Sequence, residues 1–463
     1  MKSVTLSLLQ SAANAFDFGG PVLCDAHHYG EGHINDTFVV WREDHSKRFI
    51  LQRINTDTFT NPVGLMENVC SVTRHLRAKI LAEGGDPARE TLNVIPTLSG
   101  STCYLDADGG AWRAYDFVED TICLQQVGSE TDFRTVAETL GKFQNQLEDY
   151  PASTLHETIA RFHDTPNRYA NFEKALAADA LGRAKNITSE IEFIHAMEQD
   201  CHVLLDQLAA GEIPLRVTHN DTKINNVLID AATGKGICVI DLDTVMPGLS
   251  AYDFGDSIRT GANDCAEDEP DQRKVHFDLH LYEVFAKGYL STAGASMSMA
   301  EKKSLAWGAR LMTLECGIRF LTDYLEGDHY FHIARPDHNL DRARTQFTLI
   351  IFCAQHPVSD TNMGLDQMRR IRVSFQFFAQ GCHVNSQGSN VIFLRTAPYF
   401  LREGGMRQHF AHIMRQHTQQ LVLDGGQMQF ILAQPDAACR EVDFQRTIDK
   451  NRTIYAVRSQ QIQ

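Results

Sequence analysis

The sequence predicts an α+β protein of two lobes, a small N-terminal lobe built on an antiparallel sheet and a larger, mainly helical C-terminal lobe. Residues 1–118 alternate short β-prone runs with turns, whereas residues 119–352 are mostly segments of helical periodicity. Residues 353–463 differ in composition, being rich in Gln and Arg with almost no Lys. We interpret this third segment as an extension whose role the sequence does not define.

The N-terminal lobe is predicted to contain several strands and one long helix. The helix covers residues 62–82, because Leu65, Val69, Val72 and Leu76 recur at helical spacing. The predicted strands are residues 22–24, 37–41, 48–53, 94–98 and 111–117. Residues 4–9 imitate the apolar part of a secretion signal, but polar residues interrupt them, so we expect an amphipathic first helix.

Helical periodicity dominates the second lobe. The predicted helices are residues 133–147, 188–208, 279–290, 300–324 and 339–352. In the extension, residues 406–423 also show a helical pattern, although it is not sustained.

Composition excludes several classes of protein. A formal net charge of -16 argues against nucleic acid as a partner. The 11 cysteines contain no C-x-x-C pair, which predicts reduced thiols in the cytoplasm instead of a disulfide framework or zinc site. His27, His28 and His33 fit no standard metal spacing. No apolar run reaches membrane-spanning length; the oligomeric state stays open, and a monomer is compatible with the sequence.

The most informative motif lies in the second lobe. Residues 219–226 read His-Asn-Asp-Thr-Lys-Ile-Asn-Asn, and residues 239–243 read Val-Ile-Asp-Leu-Asp after an apolar run and a glycine-containing turn. This is the order in which a kinase catalytic loop meets its metal-binding strand. The motif therefore predicts phosphoryl transfer by a protein-kinase-like, two-lobed fold.

Two residues of the motif are candidates for catalysis. Asp221 is the candidate base, which orients a substrate hydroxyl and takes its proton late in the reaction. A lone Asp in a loop is commonly a cap or turn residue, but the complete spacing favours the functional interpretation. Lys223 is the candidate cation that neutralises the moving phosphoryl group, the alternative being an exposed surface lysine.

The other polar residues of the motif suit a metal site. Asn226 and Asp241 supply the oxygen ligands that Mg²⁺ prefers. Asp243 could contact the metal site indirectly or bind a second metal. The alternative is a solvated acid or a capping residue. His219 is predicted to be structural, with its ring tying the loop to the backbone near Asp241.

The first lobe contains candidates for nucleotide binding. Gly30 and Gly32 lie in a turn that could approach phosphates closely. Arg53 on a strand and Glu67 on the next helix follow in the order of the kinase phosphate-binding cation and its acidic partner. The segment after the last strand is the predicted hinge, with its backbone facing adenine. The predicted nucleotide-binding residues are Gly30, Gly32, Arg53, Glu67, Asp116 and Val118.

At these motifs the chain resembles the aminoglycoside phosphotransferase and choline kinase superfamily, and within it the N-acetylhexosamine 1-kinases. The resemblance covers roughly residues 10–350. It is carried by residues 30–35, 49–55, 219–256 and 317–325, the last continuing to 341–346. The family ends soon after that stretch, so the extension has no counterpart.

The resemblance implies ATP- and Mg²⁺-dependent phosphorylation of the anomeric hydroxyl of N-acetylglucosamine or N-acetylgalactosamine. Asp221 matches the family's base, and Asn226 and Asp241 match its metal ligands. The family's sugar-binding positions match His33, Asp221, Lys223, Arg319 and Tyr330. Taken from the residues alone, Arg319 and Tyr330 would be interpreted as packing or salt-bridge residues.

Two alternatives stay open at this stage. The first is a kinase of the same fold that phosphorylates another sugar, choline or an aminoglycoside. An acidic pocket would suit a cationic aminoglycoside, whereas Lys223, Arg319 and Tyr330 suit a neutral acetylated sugar. The second is a non-catalytic regulator of kinase fold, which the intact Asp221 and metal ligands argue against.

Overall fold

The structure is a computed structural model that describes residues 4–30 and 34–355, together with four strands between residues 419 and 459. The chain divides into two compact units, residues 1–375 and 376–463. The first unit contains the sheet lobe and the helical lobe predicted from the sequence.

The sheet lobe is antiparallel in every strand pair of the described residues. Its strands are β1 (Val22–Cys24), β2 (Asp36–Arg42), β3 (Arg48–Ile54), β4 (Val94–Ile95), β5 (Tyr104–Leu105) and β6 (Ala111–Asp116). They lie in the order β1-β2-β3-β6-β4, and β5 pairs with β6. The central β3 therefore has β2 and β6 as its neighbours, which fixes the directions of its side chains.

One helix packs on each face of this sheet. Helix α1 (Leu6–Ala13) buries Leu9 in a cluster with Phe49 and Leu51. Helix α2 (Pro62–Ala82) packs on the other face with Ile54. Because side chains alternate along a strand, the odd-numbered residues of β3 point towards α1 and the even-numbered ones towards α2.

The two lobes are connected through a short hinge after β6. Strand β7 (Thr121–Cys123) pairs with a strand of the second lobe, β9 (Val227–Asp230), so residues 117–120 make the crossing. The Arg48 guanidinium lies 3.9 Å from the ring centroid of Phe117 in this hinge. The fold therefore places the predicted hinge at the boundary between the lobes.

The second lobe is mainly helical. Its helices are α3 (Glu130–Gln146), α4 (Thr165–Ala178), α5 (Thr188–Ala196), α6 (Val203–Ala209), α7 (Ser250–Gly261), α8 (Leu279–Ala293), α9 (Met299–Glu326) and α10 (His338–Gln355). Its remaining strands are β8 (Arg216–Thr218), β10 (Gly236–Val239) and β11 (Met246–Gly248). They form small sheets, β10-β9-β7 and β11-β8. The predicted α+β fold class is confirmed.

The single helix predicted for residues 188–208 is wrong, because α5 and α6 are separated by a 3₁₀ turn at Gln199–His202. In this turn Asp200 accepts a hydrogen bond from Nε of Arg310 on α9 at 3.0 Å. The side chain of Cys201 is 1% exposed. The helix is therefore interrupted at this bend, and the turn contacts α9.

Helices α7 and α9 cross with their backbones in contact. A Cβ added at Gly255 would lie 2.2 Å from the carbonyl oxygen of Gly308. A Cβ added at Gly308 would lie 1.9 Å from the carbonyl oxygen of Ala251. Both positions therefore require glycine, since any side chain would force the two helices apart.

In the second unit, β12 (Gln419–Asp424) pairs with β13 (Gln427–Leu432), and β14 (Val442–Asp449) pairs with β15 (Arg452–Ser459). The helix predicted for residues 406–423 is therefore wrong at 419–423. The sequence Asp-Gly-Gly-Gln at 424–427 is a hairpin signal, and Asp424 pairs with Gln427 across the two strands. Residues 406–418 lie outside the described residues. Among the helices the structure describes, none has both the length and the apolar character needed to cross a bilayer.

Candidate active site

The catalytic loop, residues 219–226, connects β8 to β9 and is held by the first turn of α7. The Asp253 carboxylate accepts hydrogen bonds from the backbone N–H groups of His219 at 2.9 Å and Asn220 at 2.7 Å. Asn220 has a φ of 64°, a left-handed conformation that such bonds stabilise. Sequence reasoning missed this role of Asp253, although the residue lies in the Asp-Phe-Gly-Asp-Ser stretch used only for the family resemblance.

His219 is structural, as the sequence predicted. Its side chain is buried, and Nε2 donates a hydrogen bond to the carbonyl oxygen of Ile240 at 2.8 Å. Its Nδ1 accepts from the backbone N–H of Asp221 at 3.3 Å. The ring therefore connects the catalytic loop to the residue that precedes Asp241.

Asp221 and Lys223 form an ion pair, with 2.8 Å between Oδ1 and Nζ. Burial in the cleft opposes ionisation of Asp221, but the charge and hydrogen bond of Lys223 outweigh it, so the pKa of Asp221 lies below its usual value. The Asp221 carboxylate in turn raises the pKa of Lys223. At neutral pH the pair is therefore a carboxylate beside an ammonium, which matches a base and a phosphoryl-neutralising cation.

Asn226 and Asp241 are brought together by the backbone. The N–H of Ile240 donates to the carbonyl oxygen of Asn226 at 2.9 Å. The amide Nδ2 of Asn226 donates to the carbonyl oxygen of Asp221 at 2.7 Å, so the amide nitrogen is engaged within the loop. The amide oxygen then remains as the group suited to a cation.

Asp241 has the electrostatics of a cation ligand. Its side chain is exposed to solvent, and desolvation by the surrounding protein, together with the negative charges of Asp243 and Asp221, raises its pKa to about 6. A divalent cation would relieve that repulsion. In the part of the chain that the structure describes, no three His, Cys, Asp or Glu side chains converge on a metal site. Phosphate and water would therefore supply the remaining ligands of Mg²⁺.

Asp243 joins the catalytic region to the first lobe. It forms a buried ion pair with Arg113 of β6, with side-chain exposures of 4% and 1% respectively. Its other oxygen accepts a hydrogen bond from Nδ2 of Asn35 at 2.6 Å. Because both carboxylate oxygens are engaged by protein, the structure favours an anchoring role for Asp243 over a second metal site.

The structure does not bring Arg53 and Glu67 together, so the predicted ion pair is wrong. Arg53 is an odd-numbered residue of β3 and points to the α1 face, where its guanidinium lies 5.9 Å from the ring of Trp112. Glu67 of α2 instead bonds Nε2 of His156 at 2.7 Å. The buried cation on the α2 face is Arg113, which comes from the neighbouring strand.

The structure describes three of the other predicted nucleotide-binding residues, which are Gly30, Asp116 and Val118. Gly30 has a φ of 80°, the left-handed conformation that glycine permits. The side chain of Asp116 pairs with Lys47 at 2.6 Å. Val118 is buried, and its carbonyl oxygen accepts from Oγ1 of Thr121 at 3.0 Å. Gly32 and His33 lie outside the described residues.

Arg319 and Tyr330 lie far from the catalytic loop in sequence. In the structure their side chains lie next to each other. The Arg319 guanidinium is 5.8 Å from the ring centroid of Tyr330, within the range of a cation–π contact. The Tyr330 ring is exposed, while its backbone N–H donates to Oδ1 of Asp323 at 2.8 Å. The two predicted sugar-binding residues therefore form one surface at the end of α9.

His163 and Glu315 form a second buried ion pair that sequence reasoning missed. Nδ1 of His163 lies 3.0 Å from Oε1 of Glu315, and Nε2 lies 3.0 Å from the carbonyl oxygen of Asn220. Burial alone would lower the pKa of His163, but the Glu315 charge and both hydrogen bonds more than offset it and raise the pKa. Both ring nitrogens face acceptors, which requires an imidazolium and ties α9 to the catalytic loop.

Comparison with known proteins agrees with this arrangement. The family model described as the phosphotransferase enzyme family matches residues 25–289, more than half of the chain. The chain belongs to that family. It is therefore a small-molecule phosphotransferase of the kinase type, with the catalytic loop inside the matched region.

The fold resembles that of a solved aminoglycoside phosphotransferase. An aminoglycoside phosphotransferase from Alicyclobacillus acidocaldarius has 12% identity and a TM-score of 0.51, with 79% of this chain and 96% of that chain covered. A spectinomycin phosphotransferase in complex with ADP and spectinomycin has 15% identity and a TM-score of 0.44, covering 80% and 99%. A choline kinase from Cryptosporidium parvum has 13% identity and a TM-score of 0.43, covering 81% and 96%.

Proposed function

We propose that this phosphotransferase transfers the γ-phosphoryl group of ATP to the anomeric hydroxyl of an N-acetylhexosamine, either N-acetylglucosamine or N-acetylgalactosamine. The observation that carries the acceptor class is the pairing of carboxylates with cations around Asp221. The carboxylates of Asp221, Asp256 and Glu267 each contact Lys223 or Arg259.

The pairing extends along one side of the cleft. Lys223 pairs with Asp221. Arg259 bonds Oδ1 of Asp256 at 2.9 Å and Oε1 of Glu267 at 2.9 Å. Beyond them, the Arg319 charge helps to lower the pKa of Arg168, after burial as the main cause. These cations would repel a polycationic aminoglycoside or choline, whereas they would not repel a neutral sugar.

The chemistry follows from the positions of the loop side chains. Asp221, ionised and oriented by Lys223, accepts a hydrogen bond from the substrate hydroxyl and takes its proton as the bond to phosphorus forms. Lys223 supplies positive charge beside the oxygens of the moving phosphoryl group. Asn226 and Asp241 are the residues that would hold Mg²⁺, and the ion would neutralise charge on the nucleotide phosphates.

In this proposal the first lobe binds the nucleotide. The glycine turn with Gly30 and Gly32 would approach the phosphates, and the backbone of Asp116 and Val118 would face adenine. The acceptor would lie over Asp221, with contacts from His33, Lys223, Arg319 and Tyr330. The buried Arg113–Asp243 pair supports this arrangement by joining the lobes beside the metal residues.

The test is ADP release with Mg²⁺ and a panel of N-acetylhexosamines, simple hexoses, choline and aminoglycosides. We expect turnover with an N-acetylhexosamine and no turnover with its methyl glycoside, in which the anomeric oxygen is blocked. Equal turnover of the methyl glycoside would move the reaction to another hydroxyl. Turnover confined to choline or aminoglycosides would replace the acceptor class, and no turnover with any compound would favour the non-catalytic regulator.

A further inference from the structure

Helix α2 of the first lobe is bonded to the second lobe through Asn68, whose side chain is 1% exposed. Its Nδ2 donates to the carbonyl oxygens of His156 at 2.8 Å and Val245 at 2.9 Å. Its Oδ1 accepts a hydrogen bond from the backbone N–H of His156 at 2.9 Å. One neutral amide therefore satisfies backbone groups from two separate segments of the second lobe.

Val245 lies at the end of the segment that begins with the candidate metal ligand Asp241. Between them is one 3₁₀ turn, Leu242–Thr244, which is closed by the N–H of Val245 donating to the carbonyl oxygen of Leu242 at 3.2 Å. Asp241 has a φ of 58°, a left-handed conformation that persists only where the surrounding structure holds it. A bond to Val245 therefore acts on the position of Asp241 through a single short turn.

The same 3₁₀ turn is bonded both to the first lobe and to the catalytic loop. Its Asp243 pairs with Arg113 of β6. Oγ1 of Thr244 donates to the carbonyl oxygen of His219 at 2.6 Å. The carbonyl oxygen of Thr244 accepts from Nδ2 of Asn220 at 2.9 Å. The turn is therefore the place where the first lobe, the metal ligand and the catalytic loop are joined.

Asn68 lies in an otherwise apolar interface between α2 and this turn. Leu65, Asn68 and Val69 share one face of the helix, because they are three and four residues apart. Leu65 and Val69 belong to one buried hydrophobic cluster with Leu242 and Val245. A buried amide is costly in such surroundings unless its hydrogen bonds are made. The bonds of Asn68 therefore favour a single position of the turn against the helix.

We propose that Asn68 is a positioning residue of the metal site, which acts on Asp241 through Val245 and the 3₁₀ turn. The inference rests on the proposed function, in which Asp241 is a ligand of Mg²⁺, and adds the residue by which the first lobe fixes that ligand. Because the bonds of Asn68 go to backbone groups, its effect on the metal depends on the placement of Asp241. Loss of a group that orients a ligand typically lowers metal affinity by about 10- to 100-fold.

The test measures ADP binding to the full chain by calorimetric titration, once with saturating Mg²⁺ and once with EDTA. Asn68→Leu keeps most of the side-chain volume and removes all three hydrogen bonds. We expect the ratio of the ADP dissociation constant in EDTA to that in Mg²⁺ to fall about tenfold, because the metal-dependent part of the affinity is lost. The ADP dissociation constant in EDTA should change less than about twofold, since only the coupling between metal and nucleotide is affected.

Asn339→Leu is the matched control for a general loss of stability. Asn339 is also fully buried, and its Nδ2 donates to two carboxylates near the end of α9, each at 2.9 Å. This variant should lower the free energy of unfolding without changing the ratio of the two dissociation constants. If Asn68→Leu does not fold, Asn35→Ala gives the same measurement, because it removes a bond to Asp243 of the same turn from a half-buried position.

An unchanged ratio in the folded variant, with Mg²⁺ still strengthening ADP binding to the wild type, would overturn the positioning role and leave the proposed function standing. Equal weakening of ADP binding with and without Mg²⁺ would also overturn it, because Asn68 would then only hold the lobes together. A similar fall of the ratio in Asn339→Leu would assign the effect to stability and overturn it as well. If Mg²⁺ does not strengthen ADP binding to the wild type, the metal role of Asp241 in the proposed function fails, and the inference fails with it.

Discussion

Replacing Arg113 by methionine should destabilise the first unit strongly. The side chains of Arg113 and Asp243 are 1% and 4% exposed, so the substitution would leave a buried carboxylate without its counter-ion. Removing one partner of a buried pair costs about 3–5 kcal/mol. Asn35 still donates to Asp243 at 2.6 Å, which favours the lower half of that range. The Arg113→Met variant should therefore lose about 3–4 kcal/mol of the free energy of unfolding.

Urea unfolding followed by tryptophan fluorescence measures this loss where it occurs. The three tryptophans, Trp41, Trp112 and Trp307, all lie in the unit of residues 1–375, so the signal reports that unit. The control is the double variant with Asp243→Asn, which removes the stranded charge and should recover much of the stability. A loss below about 1 kcal/mol in Arg113→Met, or strictly additive effects in the double variant, would refute the reasoning.

Three further predictions concern the second lobe. Asp221→Asn should lower kcat by orders of magnitude with little change in nucleotide binding, measured by titration; near-normal kcat would remove Asp221 from the mechanism. Tyr330→Ala should raise the acceptor KM, and a change in the ATP KM alone would reassign the residue. Glu315→Gln should lower stability most below about pH 6.5, where His163 is charged in both folded and unfolded chains. The difference from wild type should shrink as the pH rises through the raised pKa of His163; denaturant titrations at about pH 5.5 and about pH 8.5 measure it, and a pH-independent difference would contradict the charged pair.

Local pattern was enough to predict the parts of the fold in which neighbouring residues decide the structure. The helix predicted at 62–82 is α2 (Pro62–Ala82), which begins with a proline behind the capping Asn61. The strands predicted at 22–24 and 48–53 are present within one residue of their bounds. In these segments hydrophobic periodicity and turn residues agree with the tertiary structure.

The errors arise where a tertiary contact decides. Arg53 was chosen by its order in the chain, but strand alternation turns it to the α1 face, and Arg113 from β6 occupies the inner face. His163 and Glu315 are 152 residues apart, so no local pattern connects them. Asp253 acts on backbone N–H groups more than 30 residues away. Such pairs depend on how α7 and α9 pack, which a single sequence does not encode locally.

The glycine crossing of α7 and α9 has a consequence for engineering the acceptor range. Because Gly255 and Gly308 place the two backbones in contact, the helices cannot approach each other further, and moving them apart would open a packed crossing. Arg259 on one helix and Arg319 on the other are therefore carried on a single rigid frame. A library aimed at new acceptors should hold that frame constant and vary exposed side chains near the end of α9, such as Tyr330. Selection for larger or differently charged acceptors would then act on side-chain chemistry, while the catalytic loop keeps its geometry.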